Sequence, residues 1–87
     1  MRITDVHITP RNDVRLRAFA TVTFDGCLVV RGLRVIRVAD RRFVAMPARR
    51  TANGRFQDIA HPIHAAARKM IEARVLREYQ LVRRDSE

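Results

Sequence analysis

The chain of 87 residues is poor in several residue types, and each shortage excludes a class of protein. With one cysteine, Cys27, it can form neither an intramolecular disulfide nor a cysteine-based zinc site. No apolar run approaches the roughly 20 residues that cross a bilayer, and the first ten residues do not have the pattern of a signal peptide. Cys27 lies in an apolar run and is expected to be a small core residue. We therefore expect a cytoplasmic protein that does not act at a membrane.

Groups that perform catalysis or hold a cofactor are also scarce. The only serine, Ser86, lies at the end of the chain, and the three glycines are isolated, so neither a serine nucleophile nor a phosphate-binding loop is indicated. The histidines are His7, His61 and His64; the last two, with Asp58 nearby, give only a weak metal-site signal. The favoured interpretation is that His61 caps or packs at a helix N-terminus. The sequence thus predicts no enzyme, no metal and no cofactor.

Arginine is the residue type in excess. Lys+Arg total 18 against 9 Asp+Glu, which gives a net charge of +9, and Lys69 is the only lysine. Guanidinium groups pair with phosphate through two parallel hydrogen bonds and stack on bases, so an arginine-rich surface favours an anionic partner. Hydrophobic residues make up 47% of the chain, which is typical of a folded domain. These features predict a protein that acts by binding, with nucleic acid as its first candidate partner.

Hydrophobic alternation with a period of two predicts strands in the first two thirds of the chain. Leu16 to Phe24 alternates apolar and polar residues, and Asp25-Gly26 is typical of a hairpin turn. The next run, Cys27 to Val38, is rich in Val, Ile and Leu, and Gly32 within it indicates a bulge. Shorter strands are predicted at Arg2–Thr9, Phe43–Met46 and Phe56–Asp58.

The last third changes to a helical period. Pro62 suits a first helical turn, and apolar residues then recur at spacings of three and four. The predicted stripe comprises Ile63, Ala67, Met70, Ile71, Val75, Tyr79 and Val82. We expect one α+β domain spanning 1–87, with an antiparallel sheet of four to five strands, one long C-terminal helix and a frayed tail at 84–87. Because so short a chain has a thin core, a homodimer is also expected.

A basic segment separates the short strand at Phe43 from the helix. Between Met46 and Phe56 it combines arginines, a hydroxyl and the turn amides of Asn53-Gly54, which are the groups that contact phosphate. The alternative is a solvated loop whose charges keep a strand edge from pairing. Cations on the helix flank could extend the binding surface, although such cations more often form a solvated face. The candidate nucleic-acid-binding residues are Arg49, Arg50, Thr51, Arg55, Arg68, Lys69 and Arg74.

The basic segment and its flanks contain three recognisable motifs: Phe43-Val44-Ala45-Met46-Pro47, Arg49-Arg50-Thr51, and the run from Asp58 to Ile63. In these motifs the sequence resembles the SpoVG family of bacterial septation regulators, and the resemblance extends from Met1 to about Tyr79. Where the family usually has Pro-Asp-Gly, this chain has Ala52-Asn53-Gly54.

The resemblance implies an antiparallel sheet with a C-terminal helix and a dimer formed by strand pairing. It also implies a link to septation and sporulation, and regulation through DNA or RNA binding, in which Arg49-Arg50-Thr51 would contact nucleic acid. A second hypothesis is a protein-interaction module of the division machinery, whose affinity for nucleic acid is incidental. Either way, the sequence predicts a binding protein.

Overall fold

A computed structural model describes residues 1–86 and has the predicted α+β architecture. Within these residues six strands precede one helix. Five of the strands and the helix follow the predicted order, whereas the strand at Ala48–Arg50 was predicted as part of an exposed loop. The elements are β1 (Ile3–Pro10), β2 (Leu16–Phe24), β3 (Leu28–Val38), β4 (Arg41–Ala45), β5 (Ala48–Arg50), β6 (Phe56–Asp58) and α1 (Ala65–Ser86). The predicted tail at 84–87 falls partly on this helix, and Glu87 lies outside the described residues.

The strands β1 to β4 form an antiparallel meander in chain order, and β5 pairs with β6 as a separate two-stranded hairpin. Asp25 and Gly26 join β2 to β3 with φ angles of 51° and 63°. Two positive φ values in succession suit the right-handed twist of a hairpin, and Asp and Gly tolerate them better than most residues do. The predicted Asp-Gly turn is therefore confirmed.

The core lies between one face of the four-stranded sheet and α1. Alternate residues of β2 from Ala18 to Phe24 face it, and α1 contributes every fourth residue, Ile71, Val75 and Tyr79. In β3 the register with β2 shifts near Gly32, whose φ is +85°. This bulge returns Leu33 and Val35 to the core face, which explains why apolar residues occupy both odd-numbered and even-numbered positions of β3.

Two details of the sequence prediction are wrong, and the capping role, one of the two given to His61, belongs to another residue. Cys27 is exposed in the turn after Gly26 rather than buried. Ile63 is 89% exposed and precedes the helix, because α1 begins two residues later than the apolar spacing suggests. The residue that caps α1 is His64 rather than His61. The Nδ1 atom of His64 accepts a hydrogen bond from the Ala67 N–H at 3.1 Å.

The other face of the sheet carries no helix within residues 1–86, and several large side chains lie exposed on it. Phe19 on β2 and Phe43 on β4 are 36% and 42% exposed, and Val38 on β3 is 48% exposed. The strands that carry these side chains could be predicted, but alternation alone does not indicate which face of a sheet is covered. Among the described residues, no helix is long and apolar enough to cross a membrane.

Candidate nucleic-acid interface

The predicted basic loop is a β-hairpin built from β5, a tight turn and β6. Ala48, Arg49 and Arg50 pair with Asp58, Gln57 and Phe56 in antiparallel register. At its base, the Ile59 N–H donates to the Pro47 carbonyl at 2.6 Å. The helix packs on β1 to β4, whereas the hairpin packs mainly on itself. The hairpin therefore projects from the domain.

The turn of this hairpin is held by Thr51 and Gly54. The Gly54 N–H donates to the Thr51 carbonyl at 2.9 Å, and the Thr51 N–H donates to the Arg55 carbonyl at 2.7 Å. Gly54 has φ +80°, the left-handed conformation that closes a three-residue hairpin loop. The Thr51 hydroxyl also donates to the Arg55 carbonyl, at 3.1 Å. Its hydrogen is thus used within the turn, and Thr51 shapes the loop that carries the arginines.

Three arginines project from this hairpin into solvent. Arg49, Arg50 and Arg55 are all exposed, and none forms an ion pair with an acid among residues 1–86. Because strand neighbours point to opposite faces, Arg49 and Arg50 lie on different sides of the hairpin. The Arg50 guanidinium lies over the Phe56 ring, 5.5 Å from its centroid, and Phe56 is 66% exposed. The hairpin therefore presents cations on two faces and an aromatic ring on one.

The three candidate residues on α1 differ in how they are engaged. Arg68 forms a salt bridge with Glu72 at 3.7 Å. Half-buried Arg74 donates to the Glu78 carboxylate at 3.4 Å and to the Ile3 carbonyl at 3.5 Å. Lys69 is exposed, and no described residue pairs with it. Of this set, Lys69 is the most readily available to a ligand, and Arg74 is held against β1.

The structure does not gather the three histidines into one site. His7 lies on β1 opposite Thr21, while His61 and His64 precede α1. No group of three or more His, Cys, Asp or Glu side chains in the described part of the chain could hold a metal ion. His61 and His64 instead line an apolar cleft of about 290 Å³, together with core residues such as Phe24, Leu33 and Ile71.

Sequence reasoning missed a second basic site, at the other end of the sheet. There, Arg11 and Arg17 lie beside Tyr79 of α1. Arg17 and Tyr79 are 62 positions apart, and the Arg17 Nε–H donates to the Tyr79 hydroxyl at 3.3 Å. Only the packing of α1 on the sheet brings these residues together, and local sequence contains no signal of it. Net charge was the one available indication, and it does not identify a position.

A four-stranded sheet backed by one helix, with a projecting arginine hairpin, defines a small α+β protein with a basic surface. Comparison with known proteins identifies its relatives. The SpoVG family model matches residues 1–81, so the chain belongs to the SpoVG family. This match includes the hairpin and most of α1, and it confirms the resemblance seen in the sequence.

Curated relatives span most of the chain. The chain is 46% identical over 79 residues to a protein of Anaeromyxobacter sp. (strain Fw109-5), a match that covers 91% of this chain and 81% of the relative. It is 42% identical to proteins of Bdellovibrio bacteriovorus and Caldicellulosiruptor bescii, with 92% and 94% of this chain and 74% and 94% of those proteins covered. All three are named "Putative septation protein SpoVG". Membership in this family supports a role related to septation.

Proposed function

We propose that this protein regulates septation and gene expression by binding DNA or RNA, that it acts as a homodimer in the cytoplasm, and that it performs no catalysis. The observation that carries the proposal is the projecting hairpin, whose three arginines have no acidic partner among residues 1–86. Surface arginines that form no ion pair leave their N–H groups available to an incoming phosphate. The family's septation role gives that binding its biological setting.

The geometry of the hairpin suits a nucleic-acid groove better than a flat surface. Arg49 and Arg50 point to opposite sides, so a hairpin lying in a groove could contact the phosphates on both walls. Stacked on Phe56, the Arg50 guanidinium is restrained before binding, which lowers the entropy lost on contact. Arg55 adds charge at the tip, and Lys69 would extend the surface from α1.

The DNA and RNA alternatives are separated by a binding panel. We would measure fluorescence anisotropy with labelled duplex DNA, single-stranded DNA and structured RNA, each at two salt concentrations. Binding to at least one of them, weakened by salt and by Arg49→Gln/Arg50→Gln, is expected. Equal affinity of the wild-type protein and a folded double variant for every ligand would contradict the hairpin assignment.

A homodimer would bring two hairpins to one nucleic acid. The chain leaves large apolar residues exposed near the hairpin, among them Ile59 at 68% and Ile63 at 89%. Exposed apolar groups that border an apolar cleft are typical of surfaces that another chain covers. Sedimentation equilibrium of the wild-type chain should give twice the mass of one chain, and a mass of one chain at micromolar concentration would contradict the dimer.

The second candidate is a protein-interaction module of the division machinery, and the uncovered sheet face favours it. Phe19, Val38 and Phe43 form apolar surface there with no covering element among the described residues. A pull-down with and without nuclease distinguishes the two functions. Division proteins that stay bound after digestion support this module, whereas partners lost on digestion support nucleic-acid binding.

A further inference from the structure

The second basic site is a cleft of about 280 Å³ where the β1–β2 loop meets the C-terminal half of α1. Six residues line it: Pro10, Arg11, Asn12, Arg17, Tyr79 and Arg83. Three of them are arginines and none is an acid. Such a lining offers hydrogen-bond donors and positive charge to whatever enters.

Tyr79 gives the cleft its most specific feature. The residue is only 3% exposed, and its hydroxyl accepts a hydrogen bond from the Arg17 Nε–H at 3.3 Å. The Arg42 guanidinium lies over the ring, 5.5 Å from its centroid. No described residue accepts the hydrogen of the Tyr79 hydroxyl. A buried hydroxyl normally donates as well as accepts, so this group can donate to a ligand in the cleft.

One acid close to Arg11 and Arg17, Asp13, offsets this charge only in part. The Asp13 carboxylate accepts the backbone N–H groups of Arg15 and Leu16 at 2.8 and 3.1 Å. Arg17 donates to the backbone carbonyl of Asp13, at 2.8 Å, rather than to its carboxylate. Arg11 lies over the Phe19 ring at 5.6 Å, a contact that leaves its N–H groups available. The donors that line the cleft thus exceed the acceptors.

From this arrangement we infer that the cleft binds one phosphate group. A phosphate group carries several acceptor oxygens and up to two negative charges. It therefore suits a cleft whose guanidinium groups and tyrosine O–H are all hydrogen-bond donors. Arg11 and Arg17 supply the charge, and the Tyr79 hydroxyl supplies a donor in a fixed direction. The phosphate is either one of a nucleic-acid backbone or one of a free phosphorylated ligand. This site is separate from the β5–β6 hairpin and does not depend on the function proposed for it.

The composition of the chain supplies a direct probe of this cleft. Tyr79 is the only tyrosine and there is no tryptophan, so the intrinsic fluorescence of the protein reports on one side chain. We would titrate inorganic phosphate into the full chain and use potassium chloride of equal ionic strength as the reference. A saturable change with phosphate alone is expected. A linear change like that of free tyrosine would overturn the inference.

Substitutions of residues in and beside the cleft distinguish specific phosphate binding from general electrostatic attraction. Arg11→Gln and Arg17→Gln should each weaken phosphate binding by about tenfold or more, the scale of a hydrogen bond to a charged group. Asp13→Asn keeps an oxygen for the two N–H groups but removes a negative charge, so affinity should rise by up to about fivefold. Arg31→Gln, at an exposed position of β3 outside both basic sites, should leave the phosphate affinity unchanged.

Asp13→Asn is expected to increase the phosphate affinity, and loss of folding cannot explain an increase. Phosphate affinity that is the same in Arg11→Gln as in wild type, or that falls in Asp13→Asn, would refute the site. The source of the phosphate is then identified with a labelled thymidine oligonucleotide. Weaker oligonucleotide binding by Arg11→Gln assigns the cleft to the nucleic-acid backbone. Unchanged oligonucleotide binding, together with lost phosphate binding, assigns it to a free phosphorylated ligand.

Discussion

Among single residues, His64 determines where α1 begins. Its ring nitrogen accepts the Ala67 N–H, and its carbonyl accepts the Arg68 N–H at 3.2 Å, so one residue satisfies two of the first amides of the helix. Sequence reasoning gave this role to His61, because His61 directly precedes Pro62, a residue that suits a first helical turn. The three alanines that follow, Ala65 to Ala67, offer no side-chain acceptor of their own.

Removing this cap should destabilise the fold measurably. His64→Ala is expected to lower the free energy of unfolding by about 1 kcal/mol, because the Ala67 N–H loses its acceptor. His64→Asp should at least restore it, since Asp also favours the positive end of the helix dipole. Urea denaturation measures the change. The control is His61→Ala, which removes an exposed ring that makes no hydrogen bond within residues 1–86; an equal loss there would contradict the capping role.

A second single residue, Asp13, ties part of the stability to pH. Hydrogen bonds from the N–H of Arg15 and then of Leu16 lower the pKa of Asp13, and the charges of Arg11 and Arg17 act in the same direction. A pKa lower in the folded than in the unfolded chain means that ionised Asp13 stabilises the fold. This stabilisation is present above the unfolded pKa and is lost as pH falls through the folded one.

Asp13→Asn should therefore differ from wild type mainly at neutral pH. We expect wild type to be the more stable above about pH 4, the usual range of an aspartate pKa, and the difference to shrink below it. Thermal denaturation at several pH values between 2 and 7 measures this. A difference that stays constant across that range would show that the charge of Asp13 does not contribute.

For the strands and the helix, the alternation of apolar residues and the turn residues located the elements more accurately than the helical spacing of apolar residues did. The Asp25-Gly26 turn, the bulge at Gly32 and the strand at Phe56–Asp58 all occur in the structure, since each depends on local backbone preferences. The start of α1 was misplaced, because Ile63 fits the apolar spacing yet lies outside the helix. Burial depends on what packs opposite a residue, and the sequence does not contain that information locally.

A matched pair of isoleucines tests this account of the helix. Ile71→Ala should lower the free energy of unfolding by about 2–5 kcal/mol, because Ile71 is 6% exposed and a cavity remains. Ile63→Ala removes the same atoms from a side chain that is 89% exposed, so its cost should stay within about 0.5 kcal/mol. Equal costs, measured by urea denaturation at a concentration that favours single chains, would place Ile63 in the core after all.

In the molecule as a whole, positive charge is distributed over at least two places that sequence reasoning did not separate. The hairpin carries Arg49, Arg50 and Arg55 away from the core, whereas the cleft gathers Arg11 and Arg17 around Tyr79. The basic segment and its turn could be predicted because their residues are neighbours along the chain, although the strand β5 was not predicted. The cleft could not, since it exists only after α1 has folded back on the β1–β2 end of the sheet.

The central claim is that the hairpin arginines bind nucleic-acid phosphates, and the salt dependence of binding tests it most directly. Each phosphate neutralised on duplex DNA contributes a slope of roughly −0.9 to a plot of log affinity against log salt concentration. Arg49→Gln/Arg50→Gln should therefore flatten the slope by roughly 1.8 if each arginine meets one phosphate. The matched control is Arg31→Gln/Arg77→Gln, which removes the same net charge from exposed positions outside the hairpin.

Phosphate contact by the hairpin arginines should give the flatter slope for the hairpin variant and a smaller change for the control, with both proteins folded by circular dichroism. Equal slopes for wild type and the hairpin variant would contradict it.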